Sequence, residues 1–110
     1  MLTQVVRFKS ALSEDEVLEV YASRATRYKK VKGLLQKYYL RFDATKEHGA
    51  VYLWDSADDL RQFRESDLAR SIPEAYRVQG TPDVQVAEVV MVLHPGLHTP
   101  AFQAQPERTF

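Results

Sequence analysis

The stretch from Gly33 to Asp55 constrains the fold of this chain more than any other. It contains two runs rich in Leu, Val, Tyr and Phe, separated by a polar break at residues 43–48. Such runs are typical of two β-strands joined by a turn, because aromatic and β-branched side chains pack well on a pleated sheet. The second run, Gly49 to Trp54, is apolar on both faces. This pattern predicts a sheet that is covered on both sides.

A strand and a helix are predicted before this hairpin. Leu2 to Lys9 alternates between a mostly apolar and a mostly polar side, as expected for a strand. Ser13 and Glu16 have the spacing of a capping box, which predicts a helix that begins near Glu14. The apolar stripe predicted for this helix consists of Val17, Leu18, Tyr21, Ala22, Ala25 and Tyr28.

The basic residues near the end of this helix allow two interpretations, a phosphate or nucleic-acid patch and a complement to the helix dipole. We favour the second, because cations commonly stabilise helix C-termini. Moreover, 15 basic and 15 acidic residues cancel, so no net charge attracts nucleic acid or an anionic membrane. We therefore expect neither partner. The basic residues are Arg24, Arg27, Lys29 and Lys30.

After the hairpin, Asp55 or Ser56 is predicted to cap a second helix. Pro73 should interrupt that helix or start a new turn, and residues 71–83 look like a long loop. Asp83 to Leu93 is predicted to form the last strand, followed by an extended tail over residues 95–110. The apolar stripe of the second helix is predicted to be Ala57, Leu60, Phe63, Leu68 and Ile72.

The order of elements is therefore β-α-β-β-α-β, which predicts a ferredoxin-like α+β domain over residues 1–94 with an antiparallel sheet. Two helices cover one face of such a sheet. The other face here carries valine and aromatic side chains, and an exposed apolar face of this kind usually marks an interface. We therefore expect a homodimer in which the sheets pack face to face.

The composition excludes several kinds of chemistry. Because the chain has no cysteine, it has no disulfides, no thiolate nucleophile and no Cys-ligated zinc. No leader peptide and no apolar run long enough to span a bilayer can be recognised, so we expect a cytoplasmic protein. His94 and His98 have the spacing of metal ligands on a helix, but Pro95 and Gly96 lie between them. We therefore predict no metal site, and no phosphate loop or Ser-His-Asp set is recognisable.

Three segments resemble the mono-oxygenases of the dimeric α+β barrel superfamily, a group that includes YdhR-like and antibiotic biosynthesis monooxygenase-like proteins. They are GLLQKYYL at 33–40, GAVYLWDSADDLRQF at 49–63 and DLARSIPEAY at 67–76. The resemblance implies a homodimer with a ligand cavity beside each sheet. It also implies oxygenation of a small aromatic or quinol-like molecule without metal, flavin or haem. The enolate or phenolate of the substrate would then reduce dioxygen, while the protein supplies desolvation, orientation and a base.

The same resemblance suggests site residues. Arg70 and Tyr76 are the candidates to hold a phenolate and to close over it. Tyr38 and His48 are the candidates to move a proton, since the imidazole pKa of about 6.5 suits a base. The further aromatic candidates for the substrate pocket are Tyr39, Tyr52 and Trp54.

Each candidate also has a purely structural interpretation. The tyrosines and the tryptophan would also suit a sheet core or a dimer interface, and Arg70 would suit the surface. His48 would be a solvated turn residue, and Lys37 a solvated residue at the sheet edge. At the level of function, the alternative is a non-catalytic dimeric module that binds a ligand or responds to stress. Haem degradation is disfavoured, because none of the three histidines falls on a predicted helix.

Overall fold

A computed structural model describes residues 1–95 and shows a four-stranded antiparallel sheet with helices on one side. The strand order is β2-β3-β1-β4, which confirms the predicted ferredoxin-like α+β fold. Of the predicted tail, all but Pro95 lies outside the described residues. The elements are β1 (Leu2–Ser10), α1 (Glu14–Tyr28), β2 (Leu34–Phe42), β3 (Glu47–Trp54), α2 (Ala57–Arg64), α3 (Asp67–Arg70), α4 (Ile72–Ala75) and β4 (Val78–Glu88).

The start of α1 confirms the predicted capping box. Ser13 Oγ accepts a hydrogen bond from the Glu16 amide, and the Glu16 carboxylate accepts one from the Ser13 amide. The predicted apolar stripe is only partly correct. Leu18 is 54% exposed, whereas Arg24, interpreted above as one of the basic residues that complement the helix dipole, is buried. A buried guanidinium is tolerated here because it finds hydrogen-bond acceptors on neighbouring helices.

The predicted second helix is three short helices, but four residues of its predicted apolar stripe belong to the core or pack against it: Leu60, Phe63, Leu68 and Ile72. The break lies at Ser66, whose hydroxyl donates to the Phe63 carbonyl and accepts from the Ala69 amide. Such a side chain competes with the helical hydrogen bonds and caps a new helix instead. The predicted fresh turn at Pro73 is confirmed by α4, which has this proline in its first turn. None of the described helices is long and apolar enough to cross a membrane.

The last strand is displaced from its predicted position at 83–93. It begins at Val78, inside the predicted loop, because residues 78–79 pair with the end of β1, after a register shift in which the extra residues lie in β4, at 80–82. It ends at Glu88, because this residue pairs with Leu2, where β1 begins. Beyond it, Val89 donates one hydrogen bond to the Met1 carbonyl, and Val90 is 91% exposed.

The two faces of the sheet differ in their cover. On the helix side, Trp54 is fully buried, stacks on Tyr52 and donates from its indole nitrogen to Gln4 Oε1 at 2.9 Å. The opposite side, called the open face below, carries a group of apolar side chains that no described element covers. By strand register the open face includes Val5, Tyr38, Leu40, Phe42, Val51 and Leu53.

Candidate functional site

A cavity of about 270 Å³ lies between the helix side of the sheet and the helices. Strands β1 and β3 contribute the floor, where Val6 faces Ala50 and Gln4 faces Tyr52 in register. Because Ala50 is small, it leaves space beneath the helices. The volume is close to the lower end of the range of small-molecule sites. The helices contribute Tyr21, Tyr28, Phe63, Ala69 and Ile72, and Tyr76 follows directly after α4.

Within the described part of the chain, Lys37 is the only lysine in the wall of this cavity, and it lies among tyrosine rings. Its Nζ is 3.3 Å from the ring centroid of Tyr28, 4.5 Å from that of Tyr39 and 4.6 Å from that of Tyr52. This corrects the interpretation of Lys37 as a solvated residue at the sheet edge. The register of β2 pairs Lys37 with Tyr52, which directs both side chains to the helix side.

The surroundings of Lys37 change its acidity. Burial, followed by repulsion from Arg24, lowers the pKa of Lys37 to about 7. The tyrosine faces act in the opposite direction, since aromatic rings attract cations. None of the ion pairs among residues 1–95 involves Lys37. The amine and the ammonium forms are therefore both accessible near neutral pH.

Lys37→Met is expected to stabilise the fold most at low pH. The lysine pKa is 10.5 before folding and about 7 after it, so between these values the unfolded chain binds the extra proton. The free energy of unfolding of the wild type therefore rises with pH between these two pKa values. Below them, the wild type carries the full cost of the buried ammonium. A shift of one pKa unit corresponds to about 1.4 kcal/mol. We therefore expect Lys37→Met to raise the free energy of unfolding by at least about 1 kcal/mol at about pH 6.

The measurement is urea unfolding at about pH 6 and at about pH 9, where the gain should be smaller. Lys9→Met, at an exposed position on β1, is the control and should change stability equally at both values. A gain from Lys37→Met that is the same at both pH values would contradict a buried, destabilised ammonium.

Arg24 lies behind the cavity wall as a second cation. Its guanidinium donates to Ser71 Oγ at 3.1 Å and to the Leu68 carbonyl at 2.9 Å. Its Cζ is 6.0 Å from the ring centroid of Tyr28 and 5.8 Å from that of Tyr76. Both hydrogen-bond acceptors are neutral, so the positive charge of Arg24 is not cancelled by a bound carboxylate.

Four of the tyrosines that line the cavity are held as neutral phenols. Burial is the main cause that raises the pKa of Tyr39, Tyr52 and Tyr76, and it raises that of Tyr21 to about 12. Among the described residues, the buried Tyr28 hydroxyl has no hydrogen-bond partner. The cavity therefore offers phenolic hydroxyls that can hydrogen-bond a ligand but do not themselves ionise at neutral pH.

The sequence candidates are distributed over several places. Tyr39, Tyr52 and Tyr76 line the cavity, and Trp54 is buried beside it without lining it. Tyr38 is 55% exposed on the open face, because neighbouring residues of a strand point to opposite sides. Arg70 is exposed at the end of α3 and does not line the cavity.

His48 belongs to β3 and is buried, so its expected place in a solvated turn was wrong. Burial is the main cause that lowers its pKa, with a smaller contribution from Arg41 and an opposing one from Glu14. His48 lines a separate hollow of about 480 Å³ near the end of the hairpin. No group of three metal-ligating side chains occurs within residues 1–95, and His98 lies outside them.

Sequence reasoning missed Lys37, Arg24 and Tyr28 as parts of one site. A signal for Lys37 existed, because strand alternation places it on the same face as the candidate Tyr39. A signal for Arg24 also existed, since it stands three residues after Tyr21 and four before Tyr28, at the spacing of one helix face. Nothing in the sequence showed that this helix face lies over Lys37.

Several solved structures share the fold of this chain. SnoaB from Streptomyces nogalater, described as a cofactor-independent oxygenase, is 20% identical with a TM-score of 0.68, over 84% of this chain and 95% of that one. A protein of unknown function from Nitrosomonas europaea is 15% identical with a TM-score of 0.69, over 86% and 93%. An antibiotic biosynthesis monooxygenase is 12% identical with a TM-score of 0.68, over 83% and 100%.

No protein-family model matches the chain, and no curated protein does. The sequence identities to these structures are too low for a reaction to be transferred from them to this chain, because one fold carries many functions. They confirm at the level of fold the resemblance noted in the sequence: this chain has the ferredoxin-like fold of antibiotic biosynthesis monooxygenase structures.

Proposed function

We propose that this protein is a cofactor-independent mono-oxygenase that oxidises a small phenol or quinol in the cavity beside Lys37. The observation that carries the proposal is the lysine among three tyrosine rings in an apolar cavity of about 270 Å³. The fold likeness to SnoaB, described as a cofactor-independent oxygenase, supports the same reaction class.

The proposed reaction needs only substrate and dioxygen. A phenol with a free para position reacts with one O₂ to give a para-quinone and one H₂O. One oxygen atom enters the ring, and the other leaves as water with the two hydrogens that the substrate loses. The electrons come from the substrate anion, so the protein has to exclude water, orient the ring and accept a proton.

In this proposal the ring of the substrate packs against the aromatic wall, and phenolic hydroxyls hydrogen-bond its oxygen atoms. Tyr39, Tyr52 and Tyr76 serve these roles because they line the cavity as neutral phenols. Tyr38 and Arg70, which lie outside the cavity, have no contact with the substrate. His48 lines a different hollow and is likewise given no direct role.

Filling the cavity tests the proposal. Ala69→Phe adds a ring to a residue that lines the cavity, and we expect kcat/KM for oxygen-dependent turnover to fall at least about tenfold, the equivalent of about 1.4 kcal/mol. Oxygen uptake with a panel of phenols and quinols gives the rate, after subtraction of their autoxidation. Isotopically labelled dioxygen should place one labelled atom in the product.

Ala22→Phe, on the exposed surface of α1, is the matched control and should keep full activity. If both variants consume oxygen as the wild type does, the cavity is not the site of reaction. Tight ligand binding without any oxygen uptake would instead support the alternative of a non-catalytic ligand-binding module.

We further propose that the open face forms a homodimer interface. Val5, Val51 and Leu53 lie near its centre by strand register, and no described element covers them. Apolar surface of this kind is stabilised when it leaves water, and two copies of the same face can cover each other by a twofold axis. Face-to-face packing of two sheets is a common solution for such surfaces.

A further inference from the structure

Three cationic side chains lie in the wall of the cavity or directly behind it. Lys37 lines the cavity, Arg64 reaches it from the exposed side of α2, and Arg24 lies behind its wall. Among residues 1–95, no Asp or Glu lines the cavity. An apolar cavity with uncompensated positive charge favours a ligand that carries negative charge.

We propose that the cavity binds, as its anion, a small aromatic acid that is either a phenol or an enol. Lys37 accepts the proton of this ligand and then forms an ion pair with the ligand anion. The proposal rests on the cavity of the proposed function and adds to it the ligand class and the proton acceptor. In the transfer, the O–H bond of the ligand breaks and an N–H bond forms on Nζ. A neutral acid and a neutral amine become an ion pair, so no net charge enters the apolar site.

The groups that face Lys37 support this assignment. From α1 come Arg24 and Tyr28, from β2 Tyr39 and from β3 Tyr52, with no carboxylate among them. The raised pKa values of Tyr39 and Tyr52 keep these phenols from releasing a proton to the amine. A ligand anion would offset the repulsion between Lys37 and Arg24.

Lys37 also has a way to exchange its proton with water. Together with Tyr28 and Tyr39 it lines a second hollow of about 360 Å³, which lies between α1 and the start of β2. Lys37 thus belongs to the walls of both the cavity and this outer groove. In the proposal, a proton taken from the ligand leaves through the outer groove.

The test uses 4-nitrophenol, whose phenolate has its own visible absorption band. A pH titration of the bound compound gives its apparent pKa. In the wild type we expect this pKa to lie below that of the free compound. In Lys37→Met we expect it to lie above, because burial without a cation disfavours the anion, with a difference of at least about one unit or tenfold.

Two controls separate charge from fold. Lys9→Met should match the wild type, and Lys37→Arg should keep a low apparent pKa because it preserves the positive charge. We also expect the wild type to bind 4-nitrophenol more tightly than 4-nitroanisole, which cannot ionise. Equal binding of the two compounds, or a bound pKa that Lys37→Met leaves unchanged, would overturn the proposal.

The two proposals fail in different ways. If phenols bind as anions beside Lys37 but no oxygen is consumed, oxygenation is wrong and the anion site stands. If oxygen is consumed at the wild-type rate by Lys37→Met at every pH, and the bound pKa is unchanged, oxygenation stands and Lys37 is not the proton acceptor.

Discussion

Gly49→Ala is expected to unfold the chain or to lower its free energy of unfolding by more than about 3 kcal/mol, the upper end of common overpacking effects. A Cβ atom at this position would lie 2.0 Å from the Val6 carbonyl oxygen, 3.1 Å from its carbonyl carbon and 3.2 Å from the Arg7 Cα. All three are backbone atoms of β1. This strand is hydrogen-bonded on both sides, to β3 and β4, so it cannot move aside without breaking one of its two ladders.

Urea unfolding followed by far-ultraviolet circular dichroism measures this effect, and Gly80→Ala is the matched control. Gly80 has a φ of +71°, but no atom lies within 4 Å of an added Cβ. The control should therefore lose only the backbone term of about 1–2 kcal/mol. If Gly49→Ala is no less stable than Gly80→Ala, close approach of β1 and β3 is not what requires glycine at this position.

Val51→Glu is expected to convert the proposed dimer into a monomer. Val51 lies on the open face, between Val5 on β1 and Tyr38 on β2. In a twofold dimer each interface would then contain two carboxylates without partners. A buried unpaired charge costs about 3 kcal/mol or more, so the dissociation constant should rise at least about 100-fold.

Light scattering and sedimentation velocity at micromolar concentration measure the mass of wild type and variant. Leu18→Glu, at a 54% exposed position on the opposite side of the molecule, introduces the same charge outside the open face and should leave the dimer intact. A monomeric wild type would contradict the proposed dimer directly.

Patterns that depend on neighbouring residues predicted the fold well. The capping box at Ser13, the hairpin and the order of strands and helices follow from local hydrogen bonding and side-chain alternation. Boundaries set by distant partners were predicted poorly. The last strand begins at Val78 because β1 offers it a partner, and the second helix breaks where the Ser66 hydroxyl competes for backbone groups.

The candidate site shows the same division. Strand alternation alone placed Tyr39 and Lys37 on one side of β2 and Tyr38 on the other. It did not show which side is enclosed by helices, and the role suggested for Tyr38 depended on that choice. His48 was expected in a turn, but pairing of β3 with Phe8 on β1 extends the strand to include it.

The order of elements and the apolar character of both sheet faces were readable from the amino-acid sequence, because periodicity, capping and turn formation act over a few residues. The chemistry of the cavity was not. Only the packing of α1 across the sheet brings Tyr28 and Arg24 to Lys37 and removes water from its amine. The acidity of a side chain depends on the charges and solvent around it in space, and these contacts join residues far apart in the chain.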